Sequence, residues 1–288
     1  MGNLGQRRPW LLLMPALAIL MVVGIIPLGI VFYYSFFDIF TLQARSWVGG
    51  QWYSTLLSSS RFYDSLLRSL GFSALIMCIQ FPLGIFIALM IPRGGVVRTG
   101  TLVLLALPLV VPWNMIPIVW LSLIDADRGL IGMAIAASGW DFDYKFNALH
   151  TWTLIAVMDT WHWVGLVAIL SYSGLASISP SQYQAAAIDQ ASRWQVFRWV
   201  ELPAMRGVLL MALLLRFMDS FMIYTEAFGI NAGGPGAATS FLSLDLGEEM
   251  RGFDYGPASA RSIVYFAITA CVVWAFLRVS AREEVPRR

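Results

Sequence analysis

An all-α polytopic membrane protein with six transmembrane helices is the fold class the sequence predicts, on three observations. Of its 288 residues 58% are hydrophobic and only 12% are charged, where a soluble domain carries about 25% charged residues. The apolar residues gather into six stretches, each near or above the roughly 20 residues that cross a bilayer as a helix. None of these stretches alternates apolar with polar side chains as a barrel strand would, so closed helices are the spanning form.

In chain order the stretches cover residues 10–37, 66–91, 101–124, 149–175, 207–228 and 258–279, within a single transmembrane domain over 1–288. The first follows Arg7 and Arg8, and Ala16-Leu17-Ala18 imitates a signal-peptide cleavage site. The apolar run continues to Phe37, so a retained span is expected. Pro15, Pro27, Pro82, Pro108, Pro112 and Pro117 should bend several spans. Cys78 and Cys271 both lie in apolar runs and read as small buried hydrophobes, too few for a disulfide framework or a metal cluster.

Basic residues set the orientation. With both termini cytoplasmic, the inner segments hold eleven arginines: Arg7, Arg8, Arg93, Arg98, Arg193, Arg198, Arg206, Arg278, Arg282, Arg287 and Arg288. The outer segments hold seven basic residues, including Lys145, the one lysine, and most of the acids. A net charge of +2 offers no footing for nucleic acid. Of the outer loops, 38–65 carries Trp47, Trp52 and Tyr53, which suit either an interfacial helix or an aromatic belt. The loop over 229–257 carries the turn-forming run Gly233-Gly234-Pro235-Gly236.

Several ionisable groups fall inside the spans. Asp159 and His162 are one turn apart on the fourth; Arg216, Asp219 and Glu226 fall at spacings of three and seven on the fifth, on one face. Four such charges would cost roughly 10–14 kcal/mol if dry and unpaired. Two arrangements remove that cost. Arg216 can pair with Asp159 or Asp219 and fix helix packing. Alternatively Asp159, His162, Tyr224 and Glu226 can line a wet cavity, with Trp161 or Trp163 as a stacking face suited to a sugar or polyol.

The segment Ser179–Pro203 is polar and amphipathic between two apolar runs. Ser179-Pro180-Ser181-Gln182 has the form of a capping box with Pro at the first helical position, predicting a helix to about Ala191. Ser192-Arg193-Trp194-Gln195 predicts a second helix, ended by Pro203. The pair offers Tyr183, Ala186, Ala187, Trp194, Phe197 and Val200 to a groove, or to the membrane surface.

Within this segment Gln184-Ala185-Ala186, Gln190, Val200 and Leu202-Pro203 stand at the spacing of a family motif: Glu-Ala-Ala, three residues, Gly, nine residues, Ile, one residue, Leu-Pro. Asp189, Ala191, Trp194, Gln195 and Phe197 match further positions. The chain resembles the membrane permease subunit of binding-protein-dependent ABC importers, in the carbohydrate branch typified by maltose-type permeases. Trp47-Val48-Gly49 with Tyr53, and Leu215-Arg216, Asp219, Phe221, Gly233-Gly234-Pro235 and Thr239, resemble two further regions of that branch. Two positions depart: the family's Glu is Gln184 and its Gly is Gln190, so the ion pair expected between that Glu and the ATPase becomes a neutral hydrogen bond.

The resemblance implies a type I ABC importer permease fold in a bacterial cytoplasmic membrane. It implies a coupling helix formed by Tyr183, Gln184, Ala185, Ala186, Asp189, Gln190, Trp194, Phe197, Leu202 and Pro203. With the polar groups read above, the substrate pathway is expected near Asp159, Trp161, His162, Arg216, Asp219, Tyr224 and Glu226, and binding-protein contact near Gly233, Gly234 and Pro235. The substrate would be a sugar or polyol, such as glycerol or a disaccharide. The partners would be a second permease, two ATPase subunits and an extracytoplasmic solute-binding protein. The chain lacks a Gly-x-x-x-x-Gly-Lys-Ser/Thr run, so ATP and Mg belong to the partner ATPase and no catalytic or metal site is expected. Two other function classes use the same buried acids: a proton-coupled secondary transporter and an intramembrane hydrolase.

Overall fold

The computed structural model describes residues 9–39 and 44–283; Arg7, Arg8, Arg287 and Arg288 lie outside them. Helix α1 (Pro9–Leu20) runs through a π-helical turn, Met21–Ile25, into α2 (Ile26–Tyr34). Strands β1 (Phe37–Ile39) and β2 (Arg45–Trp47) pair antiparallel, with Phe37 opposite Trp47. Next come α3 (Gln51–Ser58), α4 (Ser60–Met90), α5 (Gly95–Val110), α6 (Ile116–Ile124) and α7 (Leu130–Ala137). Helices α8 (Ala148–Ala176), α9 (Pro180–Ile188), α10 (Arg193–Val196) and α11 (Leu202–Phe221) follow. The chain ends with α12 (Thr225–Asn231), α13 (Leu242–Arg251) and α14 (Tyr255–Glu283).

Among the described residues five helical segments are long and apolar enough to cross a membrane, and a sixth is a broken pair. The all-α class is therefore borne out, with five of the six stretches meeting the length and hydropathy of a span and with corrections in detail. The third stretch is two helices, Gly95–Val110 and Trp113–Ile124, meeting at 83°. Pro112 is the cause: it holds Val111 in extended backbone, φ −67 and ψ 125, because the proline ring clashes with a helical residue before it. Pro82 sits within α4 without ending it. The fifth stretch begins earlier than 207, because Pro203 does not end the second helix of the 179–203 segment. A π-helical turn over Phe197–Glu201 carries α10 into α11, with Leu202 N–H donating to Phe197 O. The wider turn brings Pro203 in at the start of α11, where its missing N–H costs least.

By contact the chain forms two units. The first comprises 1–62 and 245–272. Here the loop expected to hold an interfacial helix contains a hairpin as well: Trp47 is on β2, stacked on Phe36 at 5.5 Å between centroids. Trp52 and Tyr53 are on α3, where Trp52 Nε1 donates to Phe37 O at 3.0 Å and the Tyr53 hydroxyl bonds to Ser35 at 2.6 Å. Asp245 is buried between Arg61 at 2.8 Å and Arg261 at 3.7 Å, and Arg261 forks onto Glu249 at 2.8 and 2.5 Å. Cys271 is exposed in this unit, as Cys78 is in the other. The expectation that both are buried is wrong, because an apolar helix in a bilayer turns small apolar side chains outward as well as inward.

The second unit comprises 63–244 and 273–288, with α8 at its centre. Half of the most apolar window of α8 is buried, against none of the first span. Asn147 caps α8, accepting from Leu149 N–H at 3.0 Å and His150 N–H at 3.3 Å. Helices α5 and α11 pack on α8 where it carries glycine. A Cβ at Gly165 would stand 2.0 Å from Leu105 O, and one at Gly174 2.8 Å from Met205 Cα. Small residues at such crossings let backbones approach in a medium that gives no hydrophobic push between helices. Phe72, Ile76, Ile155, Ile223, Phe241 and Leu244 form an apolar cluster beside them.

Candidate functional site

The close approach of α8 and α11 sets the ionisable residues against each other. Arg216 is 1% exposed and donates three ways. Nη2 reaches Asp159 Oδ2 at 2.5 Å, Nη1 reaches Asp219 Oδ2 at 2.5 Å, and Nε reaches Gln80 Oε1 at 2.9 Å. Gln80 of α4 closes the ring by donating to Asp159 Oδ2 at 2.7 Å. The Trp163 ring lies 4.7 Å from the guanidinium carbon, a cation–π contact. Both pairings left open from the sequence are thus made at once. Gln80 was missed; its signal was a lone amide in an apolar stretch, which needs partners in hydrocarbon.

Of the residues read as lining a wet cavity, only some border one. A cavity of about 100 Å³ is bordered by Trp113, Trp163, Asp219, Tyr224 and Glu226. Asp159 and His162 do not border it: each is 1% exposed, Asp159 within the ring and His162 edge-on to Trp163 at 4.9 Å. Trp161 is turned away, edge-on to Trp120 at 5.9 Å. Glu226 does not share one helix face with Arg216 and Asp219, because α11 ends at Phe221 and Glu226 is in the first turn of α12. That break brings Tyr224 and Glu226 to the cavity beside Asp219. Glu226 forms no ion pair among the described residues. The described residues hold no His, Cys, Asp and Glu group able to bind a metal.

The 179–203 element is two helices, as expected, with different ends. Pro180 opens α9, but Ser179 does not cap it; its hydroxyl bonds to Ser181 at 2.8 Å. Helix α9 stops at Ile188, short of Ala191. Gln190 has φ 51, with its N–H on Ala187 O and the Ala191 N–H on Ala186 O. This is a Schellman close, whose left-handed residue is normally Gly. The Ser192 capping box is made in both directions, at 2.7 and 3.4 Å.

Between α9 and the α10–α11 helix lies a cavity of about 670 Å³, bordered by Ala185, Ala186, Asp189, Trp199, Val200 and Pro203. Gln184 is exposed. The Trp194 and Phe197 rings meet at 5.5 Å, tilted by 35°, and Ile188, Trp194 and Trp199 are exposed at 81%, 68% and 73%. Ile188 and Trp199 were not singled out from the sequence, although apolar residues on a polar element were the signal. Tyr183 is not offered outward. Its ring lies under Arg93 at 4.1 Å and its hydroxyl donates to Glu201 at 3.2 Å. Burial, with the Glu201 carboxylate beside it, raises the Tyr183 phenol above its ordinary value, so it remains a donor. Glu201, also missed, is buried and accepts from Arg193 at 2.6 Å; it ties α9 and α10 to the root of α11.

In the Gly-Gly-Pro loop, Gly233 is buried and accepts from Thr239 N–H at 3.0 Å, while Thr239 Oγ1 donates to Gly234 O at 2.8 Å. Gly233 therefore shapes the loop; Gly236 and Ala237 are its exposed residues.

Comparison with known proteins follows the same lines. The family described as "Binding-protein-dependent transport system inner membrane component" matches residues 80–284. The trehalose/maltose transport system permease protein MalF of Thermococcus litoralis is 27% identical over 94% of this chain and 92% of its own. The diacetylchitobiose uptake system permease protein DasB of Streptomyces coelicolor is 27% identical over 97% and 88%. Among solved structures, a bacterial ABC transporter for import of the acidic polysaccharide alginate superposes with a TM-score of 0.80 at 19% identity, covering 95% of this chain and 94% of that one. The same fold is seen where that transporter is bound to an alginate-loaded periplasmic protein, with a TM-score of 0.79 at 19% identity and 96% and 94% coverage.

Proposed function

Because the chain belongs to the family of binding-protein-dependent transport system inner membrane components, we propose that it is one permease subunit of an ATP-driven importer for a neutral sugar or polyol. One observation carries the mechanism: helix runs without interruption from Arg193 through the π-helical turn to Phe221. It joins the exposed Trp194 and Trp199 to Arg216 and Asp219. The path from Phe197 to Arg216 is about 28 Å at a helical rise of about 1.5 Å per residue. An ATPase gripping the α9–α10 element would move the base of α11, and Glu201 makes α9, α10 and α11 move together. At the far end α11 carries Asp219, which borders the small cavity, so a shift at the base reaches the pathway.

The cavity also bears on substrate. At about 100 Å³ it is well below the roughly 300 Å³ at which small-molecule sites begin, so it is one wall of a site completed by a second permease. Asp219, Glu226 and Tyr224 can accept or donate bonds to hydroxyls, and Trp113 and Trp163 offer faces to a ring. Carboxylates here disfavour an anion, and the names of the trehalose/maltose and diacetylchitobiose permeases support a neutral sugar. A solute-binding protein would deliver substrate to the outer side, ATP and Mg would act on the ATPase subunits, and both termini would face the cytoplasm.

The test is uptake by proteoliposomes holding this chain with a second permease, an ATPase and a loaded binding protein. Uptake of a neutral sugar that requires internal ATP and persists with an uncoupler is the expected result. Uptake that survives without the ATPase and collapses with the uncoupler would overturn the proposal.

A further inference from the structure

A third cavity in the same unit has a lining that suits a ligand other than the transported solute. It measures about 650 Å³ and lies where the ends of α4 and α8 and the start of α5 meet α9 and α10. Arg93, Arg98 and Arg193 border it with a single carboxylate, Glu201. Glu201 is already engaged by Arg193 and Tyr183, at 2.6 and 3.2 Å. Arg93 meets Tyr183, whose ring lies 4.1 Å beneath it and whose hydroxyl is within its reach, and has no carboxylate partner of its own among the described residues. Arg98 reaches nothing better than the Arg93 carbonyl at 3.5 Å, and its Nε is buried without an acceptor. Among the described residues neither Arg93 nor Arg98 forms an ion pair.

Two guanidinium groups that border one cavity without a carboxylate partner select an anion, and their planar fork suits phosphate above other anions. The rest of the lining is largely apolar: Leu89 and Ile91 from the end of α4, Leu175 and Ile178 from the end of α8. Tyr172 stands at the rim and donates to Pro92 O at 3.3 Å, the position an aromatic side chain takes at a membrane–water boundary. A ligand matching both parts of the lining carries phosphate at one end and hydrocarbon at the other. The volume admits a headgroup and its glycerol. We propose that this pocket binds the phosphate of an anionic phospholipid, with Arg93 and Arg98 on the phosphate and the apolar lining along the glycerol and the first acyl carbons. Placing that lipid in the cytoplasmic leaflet rests on the orientation proposed above; the binding itself does not.

The test is native mass spectrometry of the full-length chain purified in detergent and titrated separately with phosphatidylglycerol, phosphatidylcholine and inorganic phosphate. Phosphatidylglycerol should bind well before phosphatidylcholine. Arg93→Gln and Arg98→Gln should each weaken it about fivefold, and together about thirtyfold, from the roughly 1 kcal/mol that one basic residue contributes to anionic-lipid binding. The double Lys variant should keep most of the binding, and Arg128→Gln, in an exposed loop, should keep all of it. Equal binding of the two lipids, or a double Gln variant that binds as the parent does, would overturn the site. Binding of inorganic phosphate without any lipid preference would overturn the lipid as its source. A chain that fails in ATP-driven uptake but keeps this selectivity would sink the importer reading alone.

Discussion

At the scale of single residues, Arg216 has the most to lose. It holds two carboxylates and an amide in a site 1% exposed. Arg216→Met should leave Asp159 buried with a charge and no cation, costing about 3–5 kcal/mol. A large fall in the thermal unfolding midpoint of the detergent-purified chain is expected, and an unchanged midpoint would contradict the ring described here. Gln190 is the opposite case. It stands at φ 51, where a non-glycine residue costs about 1–2 kcal/mol and where the family motif has Gly. Gln190→Gly should therefore raise the unfolding midpoint without touching the docking face; a fall would show that the Gln190 side chain contributes contacts that outweigh the strain.

At the scale of elements, α9 and α10 act as one block because Glu201 binds both. Gln184 is exposed and neutral, so Gln184→Ala should change coupling little. Ala186 borders the cavity of about 670 Å³, and Ala186→Trp would fill it. Phe197 supports the outward-facing Trp194 ring. Ala186→Trp and Phe197→Ala should each lower the ratio of sugar taken up to ATP hydrolysed in the assembled complex, by severalfold, while the complex still forms. If Gln184→Ala alone abolished assembly, packing would not be what docks this element. On the proposed reading, the departure from the family Glu is tolerated because apolar contact, from Ile188, Trp194 and Trp199, would carry the docking.

For the whole molecule, sidedness follows from the number of crossings, five candidate spans plus one pair broken at 83°. With six crossings both termini share a side, and Gln190 lies on that side while Gly236 and Arg128 lie on the other. Cys78 and Cys271 are exposed and must first be replaced by Ser. A single Cys at Gln190 should then label only from the cytoplasm, and one at Gly236 or Arg128 only from outside. Labelling of Gln190 and Arg128 from the same side would mean that the broken pair is re-entrant and that the chain crosses five times.

What could be read without a structure was what depends on local pattern. A bilayer demands about 20 apolar residues and internal backbone bonding, so the spans and the helical class followed from hydropathy alone. The two-helix element followed from spacing over 25 residues, Ser179 to Pro203. Even there, Pro203 read as a stop because a chain pattern does not reveal a π-helical turn that absorbs it. The tertiary structure alone decided which polar groups meet. Arg216 bonds partners 57 and 136 residues away, and the pairing is set by how closely Gly165 and Gly174 let α5 and α11 approach α8. The same packing buried Asp159 and His162 away from the cavity, turned Tyr183 inward onto Glu201, and left Arg93 and Arg98 facing a pocket without a carboxylate of their own. Periodicity places a residue on a face of its own helix; which face another helix covers depends on crossing and rotation, and those are properties of the packed whole.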